Sequence, residues 1–87
     1  MHKYDKKEFR SLSLPKRYRV VQEEGEYIGV RQLGDHRVHL YAVCGFYVEL
    51  WILFSIQQIH WIEIQENQSI INEYGSNINV RKDLGLD

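Results

Sequence analysis

The stretch GFYVELWILFSI, residues 45–56, is the most hydrophobic part of this chain of 87 residues, and the fold depends on how it is placed. Apolar residues occupy both parities of the stretch, and Glu49 is its only charged residue. A strand with one face in water should alternate apolar and polar side chains. The sequence therefore predicts that something covers the second face of this strand.

Four strands are predicted between Glu26 and Gln65, where apolar residues recur with a period of two. The turn sequences LGD, VCG and SIQQ separate them, and Gly34 and Gly45 mark the first two turns. Connections this short make neighbouring strands antiparallel. The pattern is typical of a four-stranded antiparallel β-meander.

A helix is predicted on each side of the meander. For the first, over about 14–24, Ser13 suits the N-cap, Pro15 the first turn and Gly25 the position after the end. For the second, in ENQSIINEYG (66–75), Asn67 suits the N-cap and Gly75 the C-cap. The following SNINV (76–80) is interpreted as a short extended piece.

The length of the VCG loop decides which residues share a face. A loop of three residues pairs Leu40 with Val48, whereas a loop of two pairs His39 with Leu50, so polarity favours three. One face then collects Ile28, Val30, Val38, Leu40, Ala42, Phe46, Val48, Leu50, Ile52, Ile62 and Ile64. The other collects Tyr27, Arg31, Arg37, His39, Tyr41, Tyr47, Glu49, Trp51, Leu53, Trp61 and Glu63.

The last strand contains one irregularity. With Ile62 and Ile64 in the core, strict alternation turns His60 inward and Ile59 outward. A β-bulge near residues 59–60 would exchange the two side chains.

The predicted fold is a single two-layer α+β domain, with an N-terminal helix, a four-stranded antiparallel β-meander and a C-terminal helix. Both helices are expected to cover the apolar face. Residues 1–12 are interpreted as a basic lead-in segment, 13–80 as the domain and 81–87 as a C-terminal tail.

The second face is the predicted functional surface, because aromatic residues and arginine are enriched at interface hot spots. We expect a non-catalytic protein-interaction or homo-oligomerisation module, most simply a two-fold dimer. The alternative is that the aromatic side chains lie flat on an exposed sheet, with Arg37 stacked on Trp51. The interface prediction comprises Tyr41, Tyr47, Trp51, Trp61, Arg37 and Leu53.

Charge is unevenly distributed along the chain. Residues 1–19 carry seven Lys or Arg against Asp5 and Glu8, and residues 20–66 carry seven acids against Arg31 and Arg37. The basic start either folds against the acidic body, stays a solvated tail, or forms an arm for nucleic acid. Single-stranded nucleic acid on the aromatic face is the alternative function, although the net charge of −1 argues against it.

Catalytic chemistry and metal binding find little support in the residue pattern. His36 is expected to be a solvated turn residue, and His39 is expected to pair across the strands with Glu49. Cys44 is expected to be a tolerated turn cysteine. No nucleotide-binding, nucleophile-elbow or calcium-loop motif occurs. We therefore expect no enzyme, metal or cofactor, although a pocket lined by His36 and His60 would reopen metal or ligand binding.

The expected location is the cytoplasm. The charged start MHKYDKKEFR does not resemble a signal peptide, and the single cysteine, Cys44, suits a reducing compartment. The longest apolar stretch is also shorter than the ~20 residues that a membrane helix needs.

The run YIGVRQLGDHRVHLYAVCGFYVELWI (27–52), followed by IHWIEI and a short helix, resembles small uncharacterised bacterial single-domain proteins. In these a helix precedes a four-strand meander with a strand of the F-Y-V-E-x-W type. The resemblance covers residues 13–80, and the strand from Phe46 to Phe54 carries most of it. It implies the helix, meander, helix fold of a domain of unknown function and implies no activity.

Overall fold

The structure, a computed structural model, describes residues 2–74. Three predictions lie outside the described residues: Gly75 as a C-cap, the extended piece at 76–80 and the tail at 81–87.

Two helices, a four-stranded sheet and a further helix follow one another along the chain. They are α1 (Lys6–Arg10), α2 (Leu14–Glu24), β1 (Gly25–Leu33), β2 (His36–Val43), β3 (Phe46–Leu53), β4 (Gln58–Ile64) and α3, which is described over 68–74. The strands are antiparallel and lie in the order β1-β2-β3-β4. The α+β class and the order of helix, meander and helix are confirmed, including the bounds of α2.

Helix α1 was not predicted, because five residues are too few to show helical periodicity. A capping box starts it. The backbone N–H of Glu8 donates to the Asp5 carboxylate at 2.7 Å, and the Asp5 N–H donates back to the Glu8 carboxylate at 2.9 Å. The helix places Phe9 in the core, where its ring meets that of Phe46 edge-on at 5.6 Å. The basic start of the chain is thus part of the fold.

The hairpin between β2 and β3 has a two-residue loop, so the prediction of three residues is wrong. Val43 pairs with Phe46, and Cys44 and Gly45 form the turn with φ values of +50° and +86°. Two consecutive residues with positive φ are the mark of the type I′ turn, whose twist matches that of the strands. Leu40 consequently lies opposite Glu49 and His39 opposite Leu50.

This register turns β2 over relative to the prediction. Strands β3 and β4 keep the expected sides, but Tyr41, His39 and Arg37 now share the face of Val48 and Leu50. That face packs under α1 and α2 around a core of Phe9, Val20, Val21, Val43, Phe46, Val48, Leu50 and Ile62.

The opposite face is covered only in part by α3, which packs on β1 and β2 and reaches the apolar stretch through the hydrogen bond from Tyr74 to Glu49. Leu40 packs there with Ile71 and Tyr74, and the half-buried Ile28 and Ile70 pack against them. The helices therefore lie on opposite sides of the sheet, where the sequence suggested one side.

Basic side chains at the start of the chain pair with acids of the body. Lys6 and Arg10 contact the Glu66 carboxylate at 2.7 and 3.0 Å, and Lys3 lies 3.5 Å from Glu24. The expectation that the basic start folds against the acidic body is confirmed for these residues.

Replacing Glu66 by glutamine should lower the melting temperature slightly at neutral pH and not at all in acid. The hydrogen bond and charge of Lys6, followed by those of Arg10, lower the pKa of Glu66 below its ordinary 4.5. The stabilisation is therefore complete above that ordinary value and lost as pH falls through the folded pKa. Thermal unfolding of both proteins against pH measures this. The exposed Glu23→Gln in α2 is the control, and a difference that persists in acid would contradict the ion-pair explanation.

Candidate interaction surface

Two tryptophans lie side by side on the face opposite α2. Trp51 of β3 and Trp61 of β4 are direct cross-strand partners, and Trp51 lies opposite Val38 of β2. The two indoles share one layer, as predicted, and that layer is turned away from α2. The prediction that this layer is turned away from both predicted helices is wrong, because α3 packs on the same face. Trp61 is on the edge strand and leaves 47% of its surface exposed.

A β-bulge brings two histidines to the same place. Trp51 pairs with Trp61 but Ile52 pairs with Ile59, so His60 is the extra residue of β4. The predicted bulge at residues 59–60 is confirmed, with Ile59 packed against the core and His60 exposed.

His36, the first residue of β2, meets His60 across the sheet. Its Nε2 lies 2.7 Å from His60 Nδ1, and the ring planes are 13° apart. One of these nitrogens donates a hydrogen to the other. The His36 ring also contacts the Trp51 ring edge-on, with centroids 5.4 Å apart.

The tryptophans and histidines form the wall of one shallow cavity of about 330 Å³. We call this surface the Trp–His patch, and its lining residues are His36, Trp51, His60, Trp61 and Glu63. The Trp51 indole N–H is buried, and no acceptor for it occurs among residues 2–74.

Charges of both signs flank Trp61. Arg17 of α2 reaches the edge of β4, where it donates to the Ile62 carbonyl at 2.7 Å and places its guanidinium 5.0 Å from the Trp61 ring centroid. Glu63, two residues along the strand, is exposed. In the described part of the chain, neither Arg17 nor Glu63 forms an ion pair. The edge of the patch therefore carries one cation and one anion beside an exposed indole.

A buried carboxylate network borders the patch on the side of α3. Glu49 is fully buried in β3 and accepts hydrogen bonds from Tyr74 (2.6 Å), Arg31 (3.0 Å) and Gln65 (2.8 Å). Arg31 also donates through Nε to the Tyr74 hydroxyl at 2.9 Å. The network joins β1, β3 and the segment after β4 to α3, so its visible role is to hold that helix on the sheet.

The protonation states of this network follow from burial and contacts. Burial, followed by the hydrogen bond to the Glu49 carboxylate, raises the pKa of Tyr74. Burial lowers the pKa of Arg31, but its bonds to Tyr74 and Glu49 outweigh this and the net pKa is raised. Tyr74 is therefore a neutral donor and Arg31 a permanent cation at neutral pH.

The remaining predicted interface residues are divided between the two faces. Leu53 lies next to His36 on the side of the patch, and Tyr47 lies on the same face beyond Glu49. Tyr41 and Arg37 lie on the opposite face, because the two-residue turn inverted β2.

On that opposite face, the two residues contact neighbours far from the patch. The half-buried Tyr41 contacts the Tyr27 ring at 5.4 Å, and burial raises its pKa. Arg37 lies over the Phe54 ring at 5.0 Å, so its predicted stacking on Trp51 is wrong.

The predicted pairing of His39 with Glu49 is also wrong. His39 lies on the α2 face, 3.3 Å from the Tyr27 hydroxyl, and burial followed by the charge of Arg37 lowers its pKa. Cys44 is a half-buried free thiol in the turn, as expected.

The sequence reasoning missed His36 and His60 as members of the surface. His36 was predicted to be a solvated turn residue, but it is the first residue of β2 and pairs with Leu33 and Leu53. The expected bulge was the available signal for His60, since it implied that this side chain leaves the core.

Comparisons with known proteins return no match: no family model, no curated protein and no solved structure is similar to this chain. Within residues 2–74, no helix has the length and apolar character needed to cross a membrane.

Proposed function

We propose that this protein is a non-catalytic interaction module that binds a second copy of itself through the Trp–His patch. The observation that carries the proposal is the adjacent pair Trp51 and Trp61 on a part of the sheet that the described helices leave open. Tryptophan is the residue type most enriched at interface hot spots, because it buries a large area at low entropic cost.

Charge complementarity supports a second copy as the partner. A two-fold interface brings the same patch of both copies together, so a patch whose edge carries both a cation and an anion can pair with itself. Arg17 and Glu63 flank Trp61 and lack partners of opposite charge among residues 2–74. Antiparallel docking of two β4 edges would set Arg17 of each copy against Glu63 of the other.

Single-stranded nucleic acid is the weaker candidate for this surface. Stacking of bases on Trp61 is possible in principle, but such sites combine aromatic residues with a basic groove. Here Glu63 lines the cavity, and several basic residues of the N-terminal segment are held in ion pairs with Glu24 and Glu66. The proposed cellular setting is the cytoplasm, where the free thiol of Cys44 would stay reduced.

Replacing Trp61 by alanine should weaken self-association strongly. Truncating a hot-spot tryptophan costs about 2 kcal/mol or more, which corresponds to a roughly 30-fold rise in the dimer dissociation constant. Sedimentation equilibrium or light scattering across a concentration series measures the constant for both proteins.

The matched control is Phe54→Ala. Phe54 is as exposed as Trp61, at 49% against 47%, but contacts Arg37 away from the patch. The control should associate like the wild type. A wild type that stays monomeric at high concentration overturns the proposal, and so does equal weakening by both variants. Binding of a single-stranded oligonucleotide at low salt, lost in Trp61→Ala, would favour the nucleic-acid alternative.

A further inference from the structure

We propose that His36 and His60 form a binding site for a transition-metal ion of the Cu²⁺, Ni²⁺ and Zn²⁺ class. Neutral imidazole is a preferred ligand of these ions. The two ring nitrogens, His36 Nε2 and His60 Nδ1, are already 2.7 Å apart and belong to two different strands. The strands that carry them are held by the sheet ladder, so the backbone positions of the two ligands are fixed and only the rings must turn.

The distance between the nitrogens is close to what a metal ion requires. Metal–nitrogen bonds of about 2.0–2.1 Å place two neighbouring ligands of a tetrahedral or square-planar ion about 2.9–3.4 Å apart. The nitrogens must therefore move apart by about 0.2–0.7 Å from their 2.7 Å contact. On binding, the donating histidine would carry its hydrogen on the other ring nitrogen, so that both imidazoles stay neutral and each presents a lone pair to the ion.

The surroundings allow the small rearrangement that binding needs. In the hydrogen-bonded pair the nitrogens face each other, so each ring must turn until both lone pairs meet at one point. His60 is exposed and both rings line the 330 Å³ cavity, which provides the space for this rotation. The half-buried His36 is held against Trp51 and serves as the fixed ligand.

Solvent would complete the coordination shell. Among residues 2–74, no group of three His, Cys, Asp or Glu side chains is placed to hold one ion. Glu63 lines the same cavity and contributes a negative charge to it. Both protein ligands come from one chain, so the monomer contains the whole site. A dimer formed through the Trp–His patch would cover it, so the site is tested at protein concentrations at which sedimentation shows the monomer.

Titration with Cu²⁺ tests the site, with tryptophan emission as the readout. A Cu²⁺ ion on His36 would lie close to Trp51, whose ring centroid is 5.4 Å from that of the histidine, and would quench its emission. We expect saturable quenching with one ion per chain. Loss of an outer-shell partner already costs about 10–100-fold in metal affinity, so His36→Gln or His60→Gln should cost at least roughly tenfold.

The chain provides its own matched controls, since its four histidines include two outside the patch. His39 lies on the opposite face beside Tyr27, and His2 lies near Gly45 at the β2–β3 turn. His2→Gln and His39→Gln should bind Cu²⁺ like the wild type.

Two outcomes overturn the site: no saturable quenching by Cu²⁺, or equal loss in the control variants. Since His60 is exposed, His60→Gln should fold normally, which circular dichroism checks. Sedimentation over a concentration series separates the two proposals, because a chain that binds Cu²⁺ and stays monomeric at high concentration refutes self-association and leaves the metal site standing.

Discussion

Replacing Glu49 by alanine should destabilise the protein by about 3–5 kcal/mol, the range for removing one partner of a buried ion pair. The substitution removes the buried carboxylate from the Arg31 cation, whose side chain is only 14% exposed, and leaves it only the exposed Glu73 carboxylate at 3.7 Å. It also removes an acceptor from Tyr74 and from Gln65. A domain of this size is stable by only about 5–15 kcal/mol, so a large share of its stability would be lost. Urea unfolding followed by circular dichroism measures the change.

Glu63→Ala is the matched control for Glu49→Ala. Glu63 is the direct cross-strand partner of Glu49 but is exposed, so its removal should change the stability of the monomer by less than about 0.5 kcal/mol. A second test uses coupling. Arg31→Met should lower the free energy of unfolding much less in a Glu49→Leu background than in the wild type. In that background the Arg31 charge has already lost its buried partner, so removing it relieves a penalty. Similar costs in both backgrounds would show that the network does not hold α3 through its charges.

Truncating Phe9 to alanine should cost about 3–5 kcal/mol, the usual range for a buried phenylalanine. Phe9 is fully buried by α1, and its ring meets Phe46 edge-on in the core under α2. The result would establish that the basic start of the chain is needed for the fold. Urea unfolding of the variant provides the measurement.

Phe54→Ala makes the same chemical change at an exposed position. Phe54→Ala should lower the free energy of unfolding far less than Phe9→Ala, because it leaves no cavity and removes the contact of the ring with Arg37. If Phe9→Ala were as mild as Phe54→Ala, α1 would be an accessory to the domain and not a part of its core.

Much of the secondary structure could be predicted because it rests on local chemistry. Ser13 and Gly25 flank α2 and Pro15 lies in its first turn, although the Ser13 side chain forms no capping hydrogen bond and Gly25 is extended, with φ −88°. Period-two patterning with short loops marks the meander. The bulge near residue 60 was also foreseeable, because strict alternation would have buried a histidine among isoleucines. Helix α1 could not be predicted from the spacing of apolar residues, because it has five residues and buries only one of them, Phe9, behind a capping box.

The candidate site was predictable only in part. Trp51 and Trp61 were placed correctly on one layer, since β3 and β4 kept their expected faces. The prediction placed Tyr41 and Arg37 on the same layer because it gave the β2–β3 turn three residues, whereas the turn has two. Sorting residues by polarity works when one face of a sheet is wet. It fails here, because helices pack on both faces and each tolerates apolar side chains.

The amino-acid order therefore determines the class of the fold, the strand sequence and the pairing of the two indoles, because all of these follow from contacts between near neighbours. Tertiary structure decides the turn at Cys44 and Gly45, the side of the sheet taken by α3 and the burial of Glu49. A carboxylate inside a hydrophobic strand is stable only with its donors in place. These are Arg31, Tyr74 and Gln65, which lie 18, 25 and 16 residues away and meet it only once the chain has folded.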